Sequence, residues 1–157
     1  MNIELEIYLD SNNLFDNFIA RGSVIDLKTE IIKNISMQKT NFSFFADKSD
    51  VLLKNISAET GPIKIRNGDL KLKLSSEISL NSNFTTNLEY NDNSKNFKNF
   101  IKDFEYLKDI VNLEAELNNT FFINFDETYK VKEYNYKSSG NIKKANFNFK
   151  KPLGSFF

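Results

Sequence analysis

Long stretches of this chain alternate strictly between apolar and polar residues. From Glu77 to Tyr90, the residues Ile78, Leu80, Phe84, Leu88 and Tyr90 share one parity, broken only by Ser82 and Thr86. The other parity holds Glu77, Ser79, Asn81, Asn83, Thr85, Asn87 and Glu89, with no apolar residue among them. A two-residue period sends successive side chains to opposite sides of a strand, so this pattern predicts a strand greasy on one side and wet on the other. The same pattern returns at Leu113, Ala115, Leu117, Phe121, Ile123 and Phe125. Strands of about a dozen residues are roughly twice the usual length.

Shorter alternating runs fill most of the remaining chain. Ile3, Leu5, Ile7 and Leu9 predict a first strand, closed by the turn cluster Asp10-Ser-Asn-Asn13. A second strand is expected from about Phe18 to Leu27, with a bend or bulge at Gly22. Between Met37 and Phe42 the apolar phase slips, which means either two strands or one strand with a bulge. Asp47-Lys-Ser-Asp50 reads as a turn before a strand over Val51–Ser57, and Glu59-Thr-Gly-Pro62 as a further break. Asn67-Gly68 lies between two alternating runs and is a strong hairpin signal, because both turn positions need positive φ. The hairpin would set Ile65 opposite Leu70 and Ile63 opposite Leu72, but also Lys64 opposite Lys71. A bulge within one long strand is the alternative, and the hairpin is the reading favoured here. A strand near Tyr129–Tyr136, a turn at Ser138–Asn141 and a strand through Ala145, Phe147 and Phe149 complete the pass.

One segment departs from the β pattern. Phe97, Phe100, Ile101, Phe104, Leu107 and Val111 follow helical spacing, with Ser94 or Asn96 available as a cap. The fold class expected is therefore all-β. It is an antiparallel meander of nine or ten long strands, apolar on one side and forming a curved groove, with one short amphipathic helix near 97–111.

Composition narrows the chemistry. At 157 residues the chain is a single β-rich module, 1–157. It opens within an alternating strand, without a signal peptide, which predicts a piece of a longer repetitive chain. There is no cysteine and no histidine. Thiolate and imidazole nucleophiles, bases and metal ligands are all closed to it. The net charge is zero and lysine outnumbers arginine nineteen to two, a poor match to nucleic acid. Asparagine, at 23 residues, reads as codon bias, and so do the glycosylation sequons it creates. Asp47, Asp50 and Asp92 sit in turn or loop sequences, where local hydrogen bonding explains them better than calcium does. Glu114 and Glu116 occupy the wet parity of a strand. No catalytic constellation emerges, so the expected function is binding and no cofactor or metal is implied.

A sheet apolar on one side must cover that side. One helix covers about three strands, given its width of about 10–12 Å against strand spacing near 4.8 Å. The remainder must pack on a second sheet, curl into a barrel, or meet an apolar ligand. The candidate lipid-facing residues are Leu70, Leu72, Ile78, Leu80, Phe84, Leu88, Leu113, Leu117, Phe121, Ile123 and Phe125. Alternatives are a closed, lipocalin-like barrel holding a single apolar ligand, and an assembly module whose strand edges pair with another β protein.

A resemblance bears on that choice. Three runs carry it: Phe18-Ile-Ala-Arg-Gly-Ser-Val-Ile-Asp-Leu27, then Thr40-Asn-Phe-Ser-Phe-Phe-Ala-Asp-Lys-Ser-Asp-Val-Leu-Leu-Lys-Asn-Ile56, then Ile65-Arg-Asn-Gly-Asp-Leu-Lys-Leu-Lys-Leu74. Together they resemble the repetitive β modules of the AsmA-like envelope proteins, nearest the central region of the YhdP-type members and related to the TamB-like bridge proteins. The resemblance implies a half-open β-groove that carries phospholipid acyl chains across the periplasm and maintains the outer membrane. It implies neighbouring β modules in the same chain, and an inner-membrane anchor elsewhere in the full-length protein as the route of membrane contact. It brings no catalytic residues.

Overall fold

The computed structural model describes residues 1–32, 35–75, 77–91 and 110–148. They form eight strands: β1 (Asn2–Leu9), β2 (Phe15–Ile32), β3 (Ile35–Ala46), β4 (Asp50–Thr60), β5 (Ile63–Lys73), β6 (Ser79–Asn91), β7 (Ile110–Phe125) and β8 (Val131–Phe147). All eight lie in one antiparallel sheet whose spatial order is the sequence order, leaving β1 and β8 as edges. Substantial contacts run only between strands adjacent in that order. The sheet is thus an open meander, and the closed-barrel alternative is not the arrangement found. The helix expected over 97–111 falls outside the described residues except at its end, where Ile110 and Val111 open β7.

Two turn expectations are corrected. Asn67-Gly68 does not turn the chain: β5 runs unbroken from Ile63 to Lys73, and Asn67 is a bulge at φ 51°. The clash of Lys64 with Lys71 that a hairpin would create is thereby avoided. Lys64 instead faces Glu89, with Nζ 3.2 Å from the carboxylate. Ser138–Asn141 likewise lies inside β8, a strand of 17 residues. There Gly140 passes so close to the Glu116 carbonyl of β7 that a Cβ would overlap it. That glycine serves close backbone approach rather than a turn. With these two segments continuous, the described strands number eight rather than nine or ten.

Bulges set the shape of the first half. Asp26, Lys39, Asn55 and Asn67 all have positive φ, between 49° and 56°, and each sits inside one of the four consecutive strands β2 to β5. The register shifts in the same places. A bulge inserts one residue, so it reverses which parity faces which side, and it bends the strand. In β4 the apolar set changes from Val51 and Leu53 to Ile56 and Ala58 across Asn55, and in β5 from Ile63 and Ile65 to Leu70 and Leu72 across Asn67. The phase slip between Met37 and Phe42 is the bulge at Lys39. The second strand does bulge, but at Asp26 and not at Gly22. Two bulges are capped from the neighbouring strand: Asn41 Oδ1 accepts the Asp26 N–H at 2.9 Å, and Asp69 Oδ1 accepts the Asn55 N–H at 3.3 Å.

Aspartate organises the turns at one end of the sheet. Asp10 Oδ1 accepts the N–H groups of Asn12 and Leu14, and Asp126 Oδ1 those of Thr128 and Lys130. In both loops the fourth residue, Asn13 or Tyr129, takes the left-handed conformation that completes a type I turn with a bulge. Asp47 Oδ1 accepts from the N–H groups of Ser49 and Asp50 and from the Ser49 hydroxyl. The Ser49 hydroxyl is the main reason its carboxyl is held below the usual range, as the Thr128 hydroxyl is for Asp126. The Lys54 ammonium does the same for Asp69, and the Arg21 guanidinium for Glu4.

A carboxylate with a depressed folded-state pKa stabilises the fold above its unfolded value, and that contribution is lost as pH falls through the folded value. The urea midpoint is therefore expected to be flat from about pH 7 to about pH 5 and to fall below about pH 4. Asp47→Ala and Asp126→Ala together should shallow that acid slope, as urea titrations at stepped pH would show.

Candidate functional site

Residues directly opposite each other in an antiparallel pair share a side of the sheet. Following partners from strand to strand therefore traces rows across the whole structure. One row runs Leu5, Ala20, Ala46, Val51, Leu72, Leu80, Ile123, Tyr134, from β1 to β8. A second runs Ile3, Gly22, Phe44, Leu53, Leu70, Ser82, Phe121, Tyr136. The first row has no polar residue except its terminal tyrosine. Both rows cross β2 to β5 on one side of the bulges, and the bulges keep the apolar residues beyond them, such as Ile56, Ala58, Ile63 and Ile65, on that same side of the sheet.

The expected lipid-facing residues fall on this side together. Leu70, Leu72, Leu80, Leu88, Leu117, Phe121 and Ile123 are joined to it by direct pairing, and Phe84 and Leu113 by partners of the same parity. Phe125 continues the β7 parity. Ile78 precedes β6, where its carbonyl accepts the Phe125 N–H at 2.9 Å. No large side chain among the described residues is completely buried. The deepest apolar ones are Ala58, Tyr90, Ile110 and Ala115, with Leu88 and Leu113 packed against the Tyr90–Ile110 pair. Apolar side chains in the middle strands are half-buried by their neighbours, while those on the edges are open: Leu5 is 59% and Tyr134 71% exposed. Among the described residues this is a single layer with a continuous apolar side.

The opposite side is laced with ion pairs. Lys54–Asp69 (2.7 Å), Lys71–Asp50 (2.9 Å), Lys143–Glu116 (2.7 Å) and the Arg21–Glu4 fork all lie there. Exposed pairs of this kind add little stability singly. Their effect is to make this side costly to cover with anything apolar. Two clefts open on it, one of about 610 Å³ between Lys54, Asp69, Lys71 and Phe122, the other of about 690 Å³ between Arg66, Glu89, Glu114 and Lys143. The second is lined mostly by polar groups, whereas Leu52 and Phe122 give the first a largely apolar floor. Phe45, Leu52 and Phe122 are apolar residues on this wet side, and parity alone places them there. Among the described residues, no three carboxylates gather to hold a metal ion.

The most buried polar group within the apolar side is one that strand parity alone does not reveal. Asn119 occupies the apolar parity of β7 opposite Phe84 and is only 3% exposed. Its Nδ2 donates to Thr86 Oγ1 at 2.8 Å, the Leu117 carbonyl at 3.1 Å and the Phe84 carbonyl at 3.3 Å. Its Oδ1 accepts from the Tyr136 hydroxyl at 2.8 Å and the Ser138 hydroxyl at 2.9 Å. The signal was present, since Asn119 interrupts the run Leu113, Ala115, Leu117, Phe121. Thr40, also on the apolar side, is 5% exposed with its hydroxyl unpartnered among the described residues.

No known protein family, curated protein or solved structure matches this chain.

Proposed function

We propose that the apolar side of the sheet is a track for lipid acyl chains, within an AsmA-like, periplasmic phospholipid-transport module of an inner-membrane-anchored protein. The supporting observation is the row Leu5, Ala20, Ala46, Val51, Leu72, Leu80, Ile123, Tyr134, apolar across eight strands with no second layer over it among the described residues. Four bulges in adjacent strands favour a sheet curled into a groove around that track. Each methylene withdrawn from water contributes about 0.8 kcal/mol, so a partly covered chain is held by many small increments and can slide without a strong anchor. The ion-paired side stays in water and leaves the other side as the lipid surface.

The test is mass spectrometry on protein purified without detergent. Phospholipid is expected at about one equivalent or more. Phe84→Asp and Leu117→Asp should each abolish its capture, because a carboxylate set among acyl chains must be desolvated. Circular dichroism should show their β content unchanged. A lipid-free wild-type protein, or variants that capture lipid as well as it does, would overturn the proposal.

A further inference from the structure

The two edges of the sheet are unlike each other in a way that makes them partners. β1 (NIELEIYL) carries Glu4 and Glu6 as its only charges, and β8 (VKEYNYKSSGNIKKANF) carries four lysines against one glutamate. On the apolar side the edges match: β1 offers Ile3, Leu5, Ile7 and Leu9, and β8 offers Tyr134, Tyr136 and Ile142, all more than half exposed. Among the described residues, neither edge has a hydrogen-bonded neighbour on its outer flank. A row of open N–H and C=O groups on such a strand is a template for another strand.

From these edges we infer that β1 of one copy pairs with β8 of a second copy, extending the meander head to tail. This inference does not rest on the lipid reading. In an antiparallel register that places Glu6 opposite Lys137, Leu9 falls opposite Tyr134 and Ile7 opposite Tyr136, and every residue keeps its side of the sheet. Lys137 has no ion-pair partner among the described residues, whereas Lys143 and Lys144 already face Glu116 and Glu114. Glu4 and Glu6 share the single Arg21 guanidinium, which leaves β1 with surplus negative charge. Pairing β1 with β1 would set glutamate against glutamate, which is unfavourable between directly opposed residues. Opposite edges therefore pair in preference to like edges. The contact is heterologous, so it builds an open-ended sheet rather than a closed dimer.

The absence of cysteine makes the test direct, because any disulfide must come from introduced residues. Leu9→Cys and Tyr134→Cys change exposed side chains, 56% and 71% open, that take part in none of the hydrogen bonds described above. Opposed residues of neighbouring strands lie at Cα separations that a disulfide can bridge. Mixing the two single variants under mild oxidation should give the mixed dimer in several-fold excess over either homodimer. Adding Lys137→Glu to the Tyr134→Cys chain should remove that excess, and Glu6→Lys on the other chain should restore it. Sedimentation velocity of the wild-type chain should show larger species as concentration rises. Homodimers in statistical proportion would overturn the inference. So would a Leu9→Cys/Tyr134→Cys double variant that oxidises only within one chain, since that is the signature of edges closing on themselves.

Discussion

Replacing Asn119 with alanine is expected to cost about 2–4 kcal/mol and to loosen β8 first. The side chain holds five hydrogen bonds at 3% exposure, so its removal strands several groups at once. Thr86 Oγ1 and two carbonyls lose a donor, and the Tyr136 and Ser138 hydroxyls lose their acceptor. The cost falls on Thr86 Oγ1 and the two carbonyls, which keep their desolvation cost, whereas the Tyr136 and Ser138 hydroxyls sit on exposed residues and turn to water. Tyr136 and Ser138 belong to the edge strand β8, all of whose residues are exposed. Asn119 is thus the principal side-chain lock on the β7–β8 register. A one-residue slip there would carry Tyr134, Tyr136 and Ile142 to the ion-paired side.

Urea denaturation should show the lower midpoint, and amide exchange should show protection lost in β8 before β4 to β6. Asn119→Leu with Tyr136→Phe and Ser138→Ala removes most of the polar partners together and should recover much of the loss. If Asn119→Ala stays within about 0.5 kcal/mol of wild type, water replaces the amide and the network is not a lock.

Most of the sheet was legible from one signal, the two-residue period. It placed β1, β4, β6 and β7 and gathered the lipid-facing candidates on one side, because parity fixes the side once strands are in register. The errors share a cause. Gly and Asn are read as turn residues because they tolerate positive φ or lack a side chain, but a bulge and a close backbone approach need the same properties. Asn67-Gly68 therefore reads as a hairpin more readily than as the bulge it is, and Ser138–Asn141 reads as a turn, although both lie within strands. The phase of the flanking apolar residues is the better guide: a parity reversal with no polar loop marks a bulge, as at Lys39, Asn55 and Asn67. Asn119 escaped notice for a different reason. A polar residue at an apolar position looks like a defect until its partners on two neighbouring strands are known, and those partners are 33 residues before it and 17 to 19 after it.

Deleting Asn67 is expected to be as damaging as losing Asn119, although the residue is exposed. The bulge lets Ile63 and Ile65, of odd parity, share a side with Leu70 and Leu72, of even parity. Without the extra residue the strand is regular, and one half must turn over. Turning the second half would take Leu70 from between Leu53 and Ser82, and Leu72 from between Val51 and Leu80. It would also pull Asp69 from Lys54 and from the Asn55 N–H that it caps. The first half is therefore the one that yields, putting Ile63 and Ile65 in water and Lys64 and Arg66 on the apolar side. Two half-buried isoleucines and two misplaced cations amount to about 3 kcal/mol. Amide exchange should rise over 63–66 and in the partner segments Ala58–Thr60 and Thr85–Leu88. Asn67→Gly separates length from chemistry: it keeps the positive φ and the residue count, and should stay within about 0.5 kcal/mol of wild type. Asn67→Val keeps the count but forces a β-branched residue into the left-handed region, at about 1–2 kcal/mol. The expected ranking of Gly, then Val, then deletion follows from parity; a deletion tolerated as well as Asn67→Gly would mean that the two halves of β5 are not held to a common side.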